Sequence, residues 1–246
     1  FVRETELTEA EWFAGIQFLT ATGQKCDDKR QEYILLSDTL GVSMLVDAIN
    51  HRKPGGATET TVLGPFYVPG AKNLPMWADI AAGLKGVPTY VSGTVSDVNG
   101  KPIAGATIDV WQTDGEGFYD VQKPGGSFAR GKFVTGADGR YGFRTVKPVS
   151  YPIPTDGPVG KMLMGMGRHP YRPAHVHTIV SAPACETVTT HIFVKGDAYL
   201  GSDAVFGVKD SLVVDFQDHA AGSTPDGGKS AVAYCSAHYD FKLVRA

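Results

Sequence analysis

The chain has 246 residues, 42% of them hydrophobic, and a formal net charge of −3. That is enough for a sizeable core in one large domain or one domain with an appendage, and the scattered lysines and arginines give no basic stripe for a nucleic-acid partner. No stretch approaches the roughly 20 apolar residues that cross a bilayer, and the first residues lack an apolar signal core, so cytoplasmic is the default location, although the chain does not start with Met and a targeting segment ahead of it would not be seen.

Residues 1–55 read as a helical region. Thr8 with Glu11 makes a capping box, and Trp12, Phe13, Ile16 and Leu19 recur at helical spacing. Beyond the breaker Gly23, Arg30 to Leu36 and then Leu40, Met44, Leu45 and Ala48 continue the period. Trp12, Phe13 and Phe18 offer more apolar surface than one short helix buries, to be docked on a sheet, on a second subunit or simply within the chain. From His51 to Gly70, Pro and Gly punctuate a connector in which Gly64-Pro65-Phe66-Tyr67 presents two aromatics, either to a flat ligand or to a domain junction.

Residues 56–246 read as an antiparallel β-sandwich, making the chain mainly β. Tyr90–Val95 and Ala106–Trp111 flank Asn99-Gly100, Phe128–Thr135 and Tyr141–Val146 flank Asp138-Gly139, and both dipeptides predict hairpins. Further strands are predicted at His175–Val180, Thr189–Val194, Leu212–Phe216 and Tyr234–Leu243, with no helical pattern between them. Cys26, Cys185 and Cys235 are odd in number and far apart, which suits reduced thiols.

The chemistry concentrates in Arg168-His-Pro-Tyr-Arg-Pro-Ala-His-Val-His177. On a strand, His175 and His177 share one face and can converge on one ion, although such a pair also arises by chance on half-exposed strands. Tyr119 and Tyr151 follow turns at strand ends. Each alone reads as a packed aromatic; taken with the histidines they point to ferric iron, an ion acidic enough to deprotonate a phenol, where Zn(II) more often takes His, Cys or carboxylate.

At these residues the sequence resembles the intradiol ring-cleavage dioxygenases. The likeness runs through Gly117-Phe-Tyr119, Tyr151-Pro-Ile-Pro-Thr-Asp-Gly-Pro158, Arg172-Pro-Ala-His-Val-His177 and Gly196-Asp-Ala-Tyr-Leu200, and Leu35-Leu-Ser-Asp38 with Thr61-Val-Leu-Gly-Pro-Phe-Tyr67 is similar to the hydroxyquinol and chlorocatechol branches. The resemblance implies one non-haem Fe(III) per subunit on Tyr119, Tyr151, His175 and His177, a homodimer through the N-terminal helices, and a phospholipid between subunits in several members. It makes Tyr151 the departing ligand and general base and Arg172 the stabiliser of the ketonised ring; the ordinary role of Arg172 would be a salt bridge. Replacing one hydroxide and one tyrosinate with a catecholate dianion leaves the iron's charge sum unchanged, so substrate enters without creating buried charge.

Where catechol-type members usually carry glutamine this chain has His191, either a hydrogen-bonding group for a reacting oxygen or a solvent-facing strand residue. In the hydroxyquinol branch the pocket matches Leu35, Asp38, Val62, Leu63, Gly64, Pro65, Phe66, Ile153, Pro154, Arg172 and Val205, and Asp38 would either meet a third substrate hydroxyl or cap the next helix. The expected activity is cleavage of hydroxyquinol by O2 between its vicinal hydroxyls to 3-hydroxy-cis,cis-muconate (maleylacetate). Rival readings are a chlorocatechol or catechol dioxygenase, a zinc hydrolase using His-x-His, and a transthyretin-like binding sandwich suggested by Gly93–Ala106, a pattern that reports fold alone.

Overall fold

The computed structural model describes residues 1–28 and 30–246. Helix α1 (Val2–Thr5) precedes α2 (Glu9–Gln24), whose start is the anticipated capping box: Thr8 Oγ1 accepts the Glu11 N–H while the Glu11 carboxylate accepts the Thr8 N–H. The two further helical pieces are α3 (Glu32–Thr39) and α4 (Val42–Asn50), parted by Gly41 at φ 76°, a left-handed turn that leaves Leu40 at the end of α3 rather than at the start of α4. Of α2 only Thr22 is fully buried, and Trp12 and Phe13 are 57% and 53% exposed. The chain therefore does not dock this stripe on a sheet of its own; only Phe18 packs inward, beside Leu35 and Val159.

From His51 to Val87 there is no helix or ladder strand. Then follow β1 (Pro88–Asp97), β2 (Thr107–Trp111), β3 (Arg130–Val134), β4 (Arg140–Val146), β5 (Tyr151–Pro152), β6 (Tyr171–Arg172), β7 (His175–Ser181), β8 (Val188–Val194), β9 (Val213–Val214), β10 (Phe216–His219), β11 (Gly222–Ser223), β12 (Lys229–Ser230), β13 (Tyr234–His238) and β14 (Phe241–Leu243). One sheet runs β10-β13-β1-β14 with β4 on the other edge of β1; the second runs β3-β2-β7-β8-β9. Most ladders are antiparallel, but β1 pairs parallel with β13 and β14, and β8 with β9. The sheets close on Val91, Val95, Ile108, Val110, Phe133, Phe143, Val176, Val180 and Ile192. Each large side chain so buried contributes about 1.5–3 kcal/mol over leaving it in water.

Both expected hairpins are corrected. The turns form, with Gly100 at φ 83° and Gly139 at φ 75°, but β1 and β2 lie in different sheets, as do β3 and β4. After Asn99-Gly100 the chain returns only as far as Ile103, whose N–H meets Val95 O, and Gly105 at φ 70° then turns it across the sandwich. Turn chemistry is local; the choice of sheet follows from the need of Val95 and Ile108 to bury themselves in one core. Helix α5 (Pro158–Gly165) was not expected among the strands, because Gly160, Gly165 and Gly167 read as loop. Tertiary contacts hold it: Val159 and Leu163 pack beside Leu35, and Glu32 accepts the Val159 N–H.

Candidate metal centre

Strand register builds the site. Across β2, β7 and β8, Trp111 stands opposite His177 and His177 opposite His191, while His175 stands opposite Phe193, so the three imidazoles lie on one face and Val176, Val180 and Ile192 go to the core on the other. Of the two expectations for His191, a hydrogen-bonding group for a reacting oxygen or a solvent-facing strand residue, burial removes the second, for His191 is fully buried. Tyr119 comes from the loop after β2, its N–H donating to Gln122 Oε1 as a short turn of helix begins. Tyr151 comes from β5, where its ladder partner is Arg172.

The four expected donor atoms converge. Tyr119 Oη lies 3.0 Å from Tyr151 Oη, 2.9 Å from His177 Nε2 and 3.5 Å from His175 Nε2, and the two Nε2 atoms are 3.1 Å apart. His175, His177 and His191 also have ring nitrogens within 4.8 Å of one another, a cluster able to hold a metal ion. Burial pushes both phenols up, Tyr119 furthest, with the neighbouring Tyr151 adding to it; for Tyr151 the Arg172 cation opposes the rise. Burial pulls all three histidines well below their ordinary value, and Arg172 adds to it. Burial would lower Arg172 too, but Asp203 together with Tyr151 and Tyr119 outweighs it and keeps the guanidinium charged.

The connector straps the site down. Thr61 Oγ1 is hydrogen-bonded to His191 Nδ1, its N–H donates to Thr189 O, and Phe66 stacks on Tyr119 at 4.5 Å. Between them Gly64, at φ 77°, lies so close that a Cβ would stand 3.1 Å from His177 Cε1. The two aromatics of the Gly-Pro-Phe-Tyr turn thus divide, Phe66 on a donor and Tyr67 against Trp111, which itself stacks on His177. Sequence reasoning gave no site role to Thr61, Trp111, Asp197 or Asp203. Asp197 Oδ2 accepts from Ser150 Oγ at 2.6 Å and from the Ala174 N–H at 3.0 Å, tying together the residues just before Tyr151 and His175. The one signal for it was its place in the Gly196–Leu200 motif.

The expected pocket residues fall into neighbouring groups. Leu35, Ile153 and Val205 form one apolar cluster with Val62 against it. Asp38, Val62, Leu63, Gly64 and Pro65 line a cavity of about 890 Å³. Pro154, next to Ile153 in the chain, is half-buried. Asp38 does not cap α4, whose N-cap is Gly41 without a side-chain bond; it is buried, hydrogen-bonded to Ser43, and raised by that burial. The remaining histidines have partners elsewhere: His51 with Asp47, His169 with Ser202, His219 with Ser236 and His238 with Asp240. The three cysteines are free, and among the described residues no helix is long and apolar enough to cross a membrane.

A β-sandwich bearing a buried two-tyrosine, three-histidine cluster under a helical cap has known counterparts. Residues 62–244 match the family model described as Dioxygenase and residues 1–58 the one described as Catechol dioxygenase N terminus, and the chain belongs to the intradiol ring-cleavage dioxygenase family of enzymes. It is 56% identical to a hydroxyquinol 1,2-dioxygenase of Rhizobium sp. over 99% of this chain and 84% of that protein, and 57% identical to a 6-chlorohydroxyquinol 1,2-dioxygenase of Cupriavidus pinatubonensis over 88% and 79%. The crystal structure of hydroxyquinol 1,2-dioxygenase from Pseudomonas putida superposes with a TM-score of 0.94 at 52% identity, covering 100% of this chain and 87% of that one.

Proposed function

We propose that this chain is a non-haem ferric dioxygenase that cleaves hydroxyquinol (benzene-1,2,4-triol) between its vicinal hydroxyls to 3-hydroxy-cis,cis-muconate, with Tyr119, Tyr151, His175 and His177 holding the iron. The carrying observation is the convergence of four buried N and O atoms 2.9–3.5 Å apart, the spacing of donors that share one small cation at about 2 Å each. Burial keeps both phenols neutral unless a highly charged cation lies among them, which favours Fe(III) over a softer or less charged ion.

When bound, ferric iron would make the chelated diolate electron-rich enough to react with O2. The protein's own groups do the rest. Tyr151 Oη, beside Arg172, takes up a proton as the diol binds. Arg172 presents Nη1, 3.3 Å from His175 Nε2, to negative charge developing on a ring oxygen. His191, its Nδ1 engaged by Thr61, turns Nε2, which has no hydrogen-bond partner among the described residues, towards the same space. The Leu35, Ile153 and Val205 cluster excludes water from one side, and Asp38 is the acceptor for the third hydroxyl.

The reading takes residues 1–55 as the dimerisation region and 56–246 as the catalytic sandwich. A homodimer would cover the exposed Trp12, Phe13 and Ile16 of α2 and Leu45 and Ile49 of α4, with a phospholipid on the same apolar surface. Catechol, chlorocatechols and chlorohydroxyquinol are the competing substrates. Iron-loaded protein should be red and should change its visible spectrum on anaerobic addition of hydroxyquinol, then take up one O2 per ring when air is admitted. A colourless protein, or a red one that consumes catechol faster than hydroxyquinol, would overturn the reading or its substrate half respectively.

A further inference from the structure

Arg172 and Asp203 are paired deep in the protein, with side chains 4% and 2% exposed. Arg172 Nε donates to Asp203 Oδ1 at 3.1 Å and Nη2 to Oδ2 at 3.3 Å, and the same two oxygens accept the backbone N–H groups of Val205 and Gly207. The carboxylate is thus held from both sides, by the guanidinium and by the turn that follows it. A two-point hold fixes the plane of a guanidinium as a single contact does not. It leaves Nη1 as the edge facing His175, with Tyr151 also in reach of the guanidinium. Gly207 completes the arrangement: a Cβ there would stand 3.0 Å from Arg172 Nη2 and 3.1 Å from Asp203 Oδ2. Phe206, beside it, sits at φ 58°, a left-handed conformation that a bulky residue keeps only when its surroundings impose it.

We propose that the turn from Asp203 to Gly207 aims Arg172 at the reacting oxygen: Asp203 is a positioning residue that fixes the guanidinium plane, and Gly207 is the residue whose missing side chain leaves room for it. Val205, from the same turn, packs in the apolar cluster with Leu35 and Ile153, which the proposed function sets against the ring, so one short segment would set both the direction of the charge and part of that wall. This inference rests on the function proposed above.

The test uses the full-length, iron-loaded protein and the variants Asp203→Asn and Gly207→Ala. The φ of Gly207 lies outside the left-handed region, so alanine suits the backbone and probes crowding alone. Oxygen uptake with hydroxyquinol gives kcat and KM, anaerobic titration followed by visible absorption gives substrate affinity, and a thermal melt reports folding. A group acting only in the transition state lowers kcat without weakening binding, so Asp203→Asn should lose about 10–100-fold in kcat and Gly207→Ala about tenfold, with KM and the anaerobic titration within roughly threefold of wild type. Folded variants with unchanged kcat, or with a loss confined to KM and to the titration, overturn the proposal. Should Asp203→Asn fail to fold, Gly207→Ala decides alone. Wild-type protein that takes up no oxygen with hydroxyquinol sinks the substrate assignment instead, and the variant ratios are then read with whichever diol it does consume.

Discussion

The ring of His175 is held by a residue only two positions earlier in the chain: its Nδ1 lies 2.7 Å from the carbonyl oxygen of Pro173. A carbonyl can only accept, so Nδ1 carries the proton and Nε2 is left with its lone pair directed at Tyr119 and His177. The donor is thereby set in its ligating tautomer before any ion arrives. Replacing it removes a prepared ligand: His175→Ala is expected to retain less than about a tenth of the iron of wild type. Iron per chain and the tyrosinate colour measure this, and a fully coloured variant would refute the ligand set.

Asp38 is buried, beside Ser43 and within the electrostatic reach of Arg172. If it reads the third hydroxyl, Asp38→Ala should lower kcat/KM for hydroxyquinol about 10–100-fold, the worth of one buried hydrogen bond to a charged group, and change that for catechol less than about threefold. Equal losses on both substrates would remove Asp38 from substrate choice.

His191 is tied to Thr61 on one side and faces the donor cluster on the other. With the iron on two tyrosines and two histidines, His191→Gln should keep its iron and its red colour while losing about tenfold in kcat, the effect of one misplaced hydrogen-bonding group. Thr61→Val should shift activity in the same direction, because it leaves the ring without its tether. Loss of iron in His191→Gln would make His191 a ligand.

Asp156 joins the connection before α5 to the N-terminal helices through Arg30 and Lys25. Hydrogen bonds from Arg30 and then Lys25 hold its carboxyl down at about 2, below the ordinary 3.8. Its contribution to stability is therefore whole above about pH 4 and disappears as the pH falls towards 2. Because the side chain is 62% exposed, screening keeps that contribution under about 1 kcal/mol. Melting curves of the metal-free protein should show Asp156→Asn less stable than wild type at pH 6 and indistinguishable from it near pH 2; a constant difference across that range would mean that the pair does not act through charge.

Much of the site was legible because it is built by short-range rules. A period of two set His175 and His177 on one face, and the β-branched residues between and after them made the strand. The chemistry of phenol and imidazole is what turns the proposal to ferric iron. What could not be read was the scaffolding that reaches across the chain: Thr61 meets His191 from 130 positions away and Asp203 meets Arg172 from 31, with no pattern to link either pair. The same limit explains the hairpins. Asn99-Gly100 does make its turn, but the sheet that β2 joins depends on which apolar faces are left to cover. Helix α5 was missed for the opposite reason, since its local sequence argues against a helix that Leu35 and Glu32 hold in place.

The strap from Thr61 to Phe66 lies between two territories with separate tasks. All four proposed iron donors come from residue 119 onwards, whereas Leu35 and Asp38 come from α3, Asp38 lining one cavity with Val62 to Pro65 of the strap and Leu35 packing with Val62, Ile153 and Val205. If the proposed function holds, the α3 side of the substrate wall and the iron donors are encoded in different stretches of the polypeptide, while Ile153 and Val205 bring the donor-bearing stretch against Leu35. Changes confined to α3 could therefore alter which ring is accepted without touching a proposed donor, an evolutionary freedom that a site built from one continuous segment would not have.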